Sequence, residues 1–192
     1  MTKAERTRQF IIEQSAVLMN KKTMAGTSMS DIMEATKLAK GGIYGNFESK
    51  EEICLEAFNY LAGKLADRLD APVTAGKTAK EKFFNLLDTY RVPRNEGGCP
   101  LLNFGMEADD TNPEIKERVR KAILSAQKRI SRIVTNGIAK GELSPSFDAK
   151  RFGIKAFAMI EGAVLCRKVT GNMDATNIVL EDLKKEFETY LL

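Results

Sequence analysis

Histidine and tryptophan are absent from the 192 residues, and the chain has only three cysteines: Cys54, Cys99 and Cys166. Without histidine there can be no Ser-His-Asp or Cys-His nucleophilic site and no His-ligated metal. The cysteines are scattered and odd in number, so they do not form a disulfide framework, which fits a reducing compartment. We therefore expect no metal, no cofactor and no enzymatic activity.

The sequence also lacks long apolar runs. None approaches the roughly 18 residues of a membrane span, and the opening MTKAERTRQFIIEQ is charged throughout, unlike a signal peptide. The composition is globular, with 43% hydrophobic and 29% charged residues. The length suits one domain of usual size or two small ones. We expect a soluble, cytoplasmic protein.

The chain also has no large excess of either charge, since the net charge is only +4. Residues 1–50 hold eight Lys/Arg against five Asp/Glu, so most of the positive excess lies in the first quarter of the chain. This bias is compatible with binding to an anionic partner, but an ordinary solvated surface explains it equally well.

Almost every segment carries apolar residues at helical spacing, and none alternates as a strand does. The predicted fold class is all-α, with about nine helices, three short ones at the front and longer ones behind. Breaks are predicted at 70–78, 92–100 and 140–148, of which 70–78 is the expected domain boundary. The helices are expected near 4–20, 28–36, 40–46, 49–69, 79–91, 113–134, 148–169 and 175–191, with a mainly apolar segment at 101–108.

The stretch LAKGGIYGNF, residues 38–47, raises a choice between a phosphate-binding loop and a short helix. Its glycines have neither the G-x-x-x-x-G-K-[ST] nor the G-x-G-x-x-G spacing, and no strand precedes them. Ser28 and Asp31 form a capping-box pattern that starts a helix near residue 28. A helix, a turn over 37–39 and a second short helix match a helix-turn-helix, whose second helix enters the DNA major groove.

The segment TSMSDIMEATKLAKGGIYGNFESKEEI resembles the N-terminal domain of TetR-family transcriptional regulators. The residues that match the family pattern are Thr27, Ser28, Ile32, Ala35, Gly41, Ile43, Tyr44, Phe47, Ser49, Lys50 and Ile53. The resemblance implies a DNA-binding domain over 3–63, with its motif at about 29–48. It also implies an effector-binding and dimerisation domain over 64–192.

Some positions depart from the pattern. Ala39 stands where a capping serine or threonine is usual, and Thr36-Lys37-Leu38 replaces the usual A-G-V turn. Gly45 and Asn46 replace larger residues, so few side chains remain to read bases. The resemblance also leads us to expect Arg6 and Arg8 to reach flanking phosphates or the minor groove, although a solvated-surface role explains them as well. The DNA-binding residues that the resemblance implies are Thr27, Ser28, Lys37, Lys40, Gly41, Gly42, Tyr44, Asn46 and Lys50.

The segment GGCPLLNFGMEADDTNP, residues 97–113, is similar to a branch of the family with a G-C-P motif before the sixth helix. In that branch the cysteine can sense electrophiles or oxidants, and Arg91 and Arg94 lie near Cys99 in sequence. Simple packing of Cys99 is the alternative, and Cys54 and Cys166 are expected to be inert. The implied effector pocket is lined by Phe58, Leu87, Tyr90, Cys99, Leu102, Asn103, Phe104, Met106, Ile123, Gln127 and Met159.

The segment 151–166, within the helix predicted at 148–169, is apolar around most of its circumference, more than one face of a monomer core needs. The helix predicted at 175–191 adds an apolar stripe of Ile178, Val179, Leu183, Phe187, Tyr190 and Leu191. Gly153 and Gly162 allow close helix approach, and burial within one large monomer core is the alternative use of these residues. The resemblance implies that the two helices form a homodimer on a two-fold symmetric operator. We expect a repressor that a small hydrophobic or electrophilic effector releases from DNA. The alternatives are a helical protein-interaction adaptor and a cofactor-dependent all-α enzyme.

Overall fold

The computed structural model describes residues 1–92 and 97–192. Part of the predicted loop at 92–100, with Arg94, lies outside these ranges. The prediction of an all-α fold is confirmed, with nine α-helices and one short 3₁₀ helix in the described residues. The α-helices are α1 (Lys3–Lys22), α2 (Met29–Thr36), α3 (Lys40–Tyr44), α4 (Lys50–Ala75), α5 (Ala79–Asp88), α6 (Pro100–Ala108), α7 (Pro113–Ala139), α8 (Ala149–Thr170) and α9 (Asp174–Glu188).

The predicted break over 70–78 is wrong in its first part, because α4 continues through Pro72 to Ala75. Proline lacks the N–H that would donate to the carbonyl four residues earlier, which normally ends or kinks a helix. The Pro72 carbonyl accepts a hydrogen bond from the Asn85 side-chain amide on α5 at 3.1 Å. This bond ties the end of α4 to α5.

The chain forms two compact units, Met1–Lys64 with Asn95–Arg120 and Leu65–Arg94 with Lys121–Leu192. In the first, which we call the N-terminal unit, α2 and α6 both contact α1. Its core includes Ile11, Ile32 and Ile43, all fully buried. Helix α6 thus belongs with the first helices, although about 50 residues separate it from α3.

The second, C-terminal unit is built around an aromatic cluster contributed by α5, α8 and α9. The rings of Phe83 and Phe187 stack with centroids 4.7 Å apart, and Phe152 lies edge-on to Phe83 at 5.2 Å. A Cβ at Gly153 of α8 would lie 2.2 Å from Ser131 Oγ on α7, so this glycine serves close packing within the chain. None of the helices in the described ranges is both long and apolar enough to cross a membrane.

Candidate nucleic-acid interface

The start of α2 is fixed by the predicted capping box. Ser28 Oγ accepts from the Asp31 N–H at 3.1 Å, and Asp31 Oδ2 accepts from the Ser28 N–H at 2.8 Å. Lys22 Nζ, from the last turn of α1, lies 2.7 Å from Asp31 Oδ1. Hydrogen bonds from Lys22 and then from Ser28 hold the pKa of Asp31 far below its usual range. The carboxylate therefore stays charged and is matched by a lysine.

The backbone N–H groups that are free to bind a phosphate at the start of α2 differ from the predicted ones, which were those of Thr27 and Ser28. The Thr27 N–H donates to the Met24 carbonyl and the Ser28 N–H donates to Asp31, so neither is free. Thr27 is also fully buried. Within the described ranges, the N–H groups of Met29 and Ser30 have no acceptor, as expected for the first positions of a helix. The capping box itself causes the shift, because it consumes the donor at the cap.

The turn between α2 and α3 contains a strained residue. Lys37 ends α2 in the left-handed conformation with φ 57°, where the family pattern has glycine. That conformation costs a non-glycine residue roughly 1–2 kcal/mol. The Lys37 side chain is exposed, so nothing in packing requires a lysine there.

Helix α3 is anchored on one face and open on the other. Ile43 is fully buried and Phe47 is 2% exposed, whereas Gly41, Gly42 and Tyr44 lie on the surface. Ala39 caps the helix without a side-chain hydrogen bond, as its identity predicts. Because the open face carries two glycines, the α3 backbone itself is accessible to a partner.

Two lysines flank this open surface, and Glu51 and Glu52 follow Lys50 in the first turn of α4. Lys40 and Lys50 occupy the first positions of α3 and α4, next to the positive ends of the helix dipoles. A cation there is unfavourable for the isolated helix. The first turn of α3 contains no acid to offset it, and Lys40 Nζ lies 5.7 Å from the Tyr44 ring centroid. The arrangement favours an anionic partner.

Asn46 closes the C-terminal side of α3. Its side-chain amide donates to the Gly42 carbonyl at 2.8 Å, which leaves its side-chain oxygen as an acceptor. Of the three predicted base-reading candidates, Lys37 and Lys40 are exposed and Asn46 is half-buried.

Arg8 does not take the role expected from sequence. Its guanidinium lies over the Phe47 ring at 4.1 Å and donates to the Asn46 carbonyl at 3.1 Å. The same group pairs with Glu52 at 2.9 Å and Glu56 at 3.2 Å. Arg8 therefore ties α1 and α4 to the end of α3 and is not available to DNA. Sequence spacing gave no signal for this, since the partners lie 38 to 48 residues away.

We expect Arg8→Ala to lower the free energy of unfolding by about 1–2 kcal/mol, after allowance for the partial exposure of its ion pairs. Chemical denaturation followed by circular dichroism measures the change. Arg6→Ala removes the same group from an exposed position of α1 and should stay within about 0.5 kcal/mol of the parent chain. Equal effects of the two changes would contradict the role assigned to Arg8.

Helix α6 is hydrogen-bonded to the end of α1. The Glu107 carboxylate accepts the N–H groups of Met24, at 2.6 Å, and Ala25, at 2.5 Å. Asn103 Nδ2 donates to the Asn20 carbonyl and the Gly97 carbonyl, both at 2.9 Å. Gly97 has φ 96°, and a Cβ there would lie 2.4 Å from the Asn20 carbonyl oxygen, so this position requires glycine.

The residues predicted for an effector pocket are divided between the two units. In the N-terminal unit Phe58 and Phe104 are buried with centroids 5.5 Å apart, and Cys99, Leu102 and Asn103 are half-buried. Met106 is 82% exposed, and we remove it from the predicted pocket because it encloses nothing. In the C-terminal unit Leu87 is buried, and the half-buried residues are Tyr90, Ile123, Gln127 and Met159.

The cysteines differ in environment. Burial raises the pKa of the Cys54 thiol to about 11, so it stays protonated at neutral pH. Cys99 is the N-cap residue of α6, directly before Pro100. Cys166, also predicted to be inert, is exposed on α8. No group of three metal-ligating side chains occurs in the residues that the structure describes.

A short helix anchored by Ile43 and Phe47, with an exposed glycine face between lysines, defines a helix-turn-helix DNA-binding protein. Residues 11–57 match the family model described as "Bacterial regulatory proteins, tetR family". Residues 81–183 match the model "Tetracyclin repressor-like, C-terminal domain". The chain belongs to the TetR family of helix-turn-helix transcriptional regulators, which are not enzymes.

Solved structures and a curated relative agree with this assignment. A TetR-family transcriptional regulator from Cytophaga hutchinsonii is 38% identical over 100% of this chain and 98% of its own, with a TM-score of 0.94. A TetR transcriptional regulator from Chloroflexus aurantiacus J-10-fl gives the same identity, coverage and TM-score. The HTH-type transcriptional regulator TtgR of Pseudomonas putida is 28% identical over 84% of this chain and 80% of that protein.

Proposed function

We propose that the chain is a cytoplasmic, homodimeric repressor that a small hydrophobic or electrophilic effector releases from a two-fold symmetric operator. Residues 3–63 form the DNA-binding domain in this proposal, and residues 64–192 bind the effector and the second subunit. The main support for the proposal is the exposed face of α3. Gly41, Gly42 and Tyr44 are exposed there, between Lys40 and Lys50 in sequence. The opposite face of the helix is buried against the rest of the unit.

On this proposal α3 lies in the major groove. The glycines allow its backbone to approach the base edges, while Lys37, Lys40 and the Asn46 side-chain oxygen are the groups able to read them. Tyr44 and Lys50 contact phosphates, as do the N–H groups of Met29 and Ser30 at the start of α2. The last pair replaces Thr27 and Ser28, whose N–H groups are already bonded within the chain.

The proposed dimer uses one face of α8 together with α9. Ile154, Leu165 and Val169 fall within about 60° on the helical wheel of α8 and are 44%, 52% and 77% exposed. Ile178 of α9 is 60% exposed, and Gly162 has open space around its Cβ position. Most of the α9 stripe expected to support dimerisation is instead buried within the chain, as Leu183 and Phe187 show. A continuous exposed apolar face is the usual mark of an association surface.

The proposed switch couples the effector to the spacing of the two recognition helices. An effector that binds a DNA-incompetent form more tightly shifts the population away from the operator-bound form. Helix α4 was the expected transmitter, and α6 offers a second one through Glu107 and Asn103. Cys99 lies at the start of that helix, so an electrophile that modified it would act on the same element. The proposed G-C-P branch rests on this position.

Selection of a randomised duplex pool on the purified chain tests the proposal. We expect enrichment of a site with two-fold symmetry, with half-sites about one DNA turn apart. A pool that yields no enriched sequence, with ligand-free refolded protein as well as with the chain as purified, would overturn it.

Gly41→Ala separates stability from DNA binding. A Cβ at Gly41 meets no atom within 4 Å, and alanine favours a helix over glycine by roughly 1 kcal/mol. We therefore expect the unfolding temperature to stay equal or rise, while affinity for the selected duplex falls at least tenfold because the methyl group occupies the space next to the bases. Unchanged affinity would show that the α3 backbone does not approach DNA at this position.

A further inference from the structure

The C-terminal unit contains a cavity of about 130 Å³ between the end of α4, the start of α5 and the last turns of α7. It forms where α7 approaches α5 closely, since a Cβ at Gly137 would lie 2.7 Å from the Ala79 Cβ. At about 30 Å³ per water, the volume equals some four waters, which suits a small oxyanion. It lies outside the candidate interface and outside the residues predicted for the effector.

The lining of this cavity has five basic side chains against two acidic ones. The acidic ones are Asp70 and Glu142, and the basic ones are Lys77, Lys82, Arg129, Arg132 and Lys140. Cationic side chains that share a concave site repel one another unless an anion binds between them.

Both acids are already engaged within the chain. Asp70 is bound in a two-point pair by Arg129, with distances of 2.5 and 3.1 Å. The hydrogen bond from Arg129 lowers the pKa of Asp70, and the charge of Arg132 acts in the same direction. Glu142 accepts the Ala79 N–H at the start of α5. Each carboxylate thus has its hydrogen-bond partner within the chain, and two negative charges remain set against five positive ones.

Four of those cations, all except Arg129, make no side-chain hydrogen bond and no ion pair in the described part of the chain. Among them Lys82 is half-buried, and Arg132 acts on Asp70 only through its charge. Arg132, Lys82 and Lys140 together offer a planar donor fork and two ammonium groups, a set that suits oxygens of a doubly charged anion. We propose that this cavity binds a small dianion, a phosphate or a short dicarboxylate, through Lys82, Arg132 and Lys140.

Calorimetric titration of the full chain with inorganic phosphate, and separately with succinate, tests the proposal in a buffer free of multivalent anions. We expect one saturable site per chain for at least one of them, with Kd below about 1 mM. Which of the two binds identifies the oxyanion class. Phosphate or succinate should also raise the unfolding temperature, whereas sodium chloride at equal ionic strength should not.

The variant Lys82→Gln/Arg132→Gln should weaken binding at least tenfold. Lys128→Gln/Lys150→Gln removes the same charge from exposed positions of α7 and α8 and should leave Kd within about twofold. Equal weakening by both doubles would overturn the site in favour of diffuse attraction. So would binding of heparin without saturable binding of either small dianion, because a polymer reports net charge and not a cavity.

Discussion

Tyr44→Phe/Lys50→Gln is expected to reduce affinity for the selected operator at least 100-fold while leaving the fold intact. Each subunit loses one hydroxyl and one charge at the surface around α3. Charge-assisted phosphate hydrogen bonds contribute about 1.5–3 kcal/mol each, and a dimer loses them twice. Neither side chain belongs to the core, since Tyr44 is 42% exposed and Lys50 is the first residue of α4.

Fluorescence anisotropy at several salt concentrations measures both consequences. The slope of log affinity against log salt should fall by about 2, one phosphate contact for each subunit. The chain offers a matched control in Tyr60→Phe/Lys64→Gln, which removes one tyrosine hydroxyl and one lysine charge from later positions of α4. If this control weakened binding as much as the first pair, overall charge and not the α3 surface would govern affinity.

Leu165→Glu should convert the dimer to a monomer at micromolar concentration. In the proposed assembly each subunit would place one glutamate in an apolar interface, which costs several kcal/mol without a partner for the charge. We expect at least a 100-fold weaker dimer and a comparable loss of operator affinity, because one half-site alone holds the chain weakly. Sedimentation velocity measures the first effect.

Leu124→Glu is the control for this change. Leu124 of α7 is 49% exposed against 52% for Leu165, so both substitutions place the same charge on a comparably exposed leucine. The control should remain dimeric. A Leu165→Glu chain that sediments as a dimer would contradict the α8 face as the association surface.

The recognition segment could be predicted from sequence because its signals are local. The capping box at Ser28, the uncapped Ala39 and the apolar anchors Ile43 and Phe47 all act within a few residues of each other. The structure confirms each of these features. The exposed face of α3 follows from them, since a five-residue helix held by two buried side chains leaves its other face to solvent.

Long-range contacts could not be predicted in the same way. The Arg8 contacts and the hydrogen bonds of Glu107 join residues 38 to 83 positions apart, where no periodicity applies. The local pattern over 70–78 predicted a break, whereas α4 continues through Pro72 to Ala75, and the Asn85 side chain of α5 donates to the Pro72 carbonyl. From sequence, Gly153 could allow close helix packing either between two subunits or within one chain. Its close approach to Ser131 shows that it allows packing within the chain.

If α3 enters the major groove of operator DNA in both subunits, it should protect guanine N7 from methylation by dimethyl sulfate. N7 lies in the major groove, whereas adenine N3, which the same reagent modifies, lies in the minor groove. We predict two clusters of N7 protection, about one helical turn apart, that disappear with Tyr44→Phe/Lys50→Gln. Specific binding with unprotected N7 positions, or with protection only at adenine N3, would contradict the account.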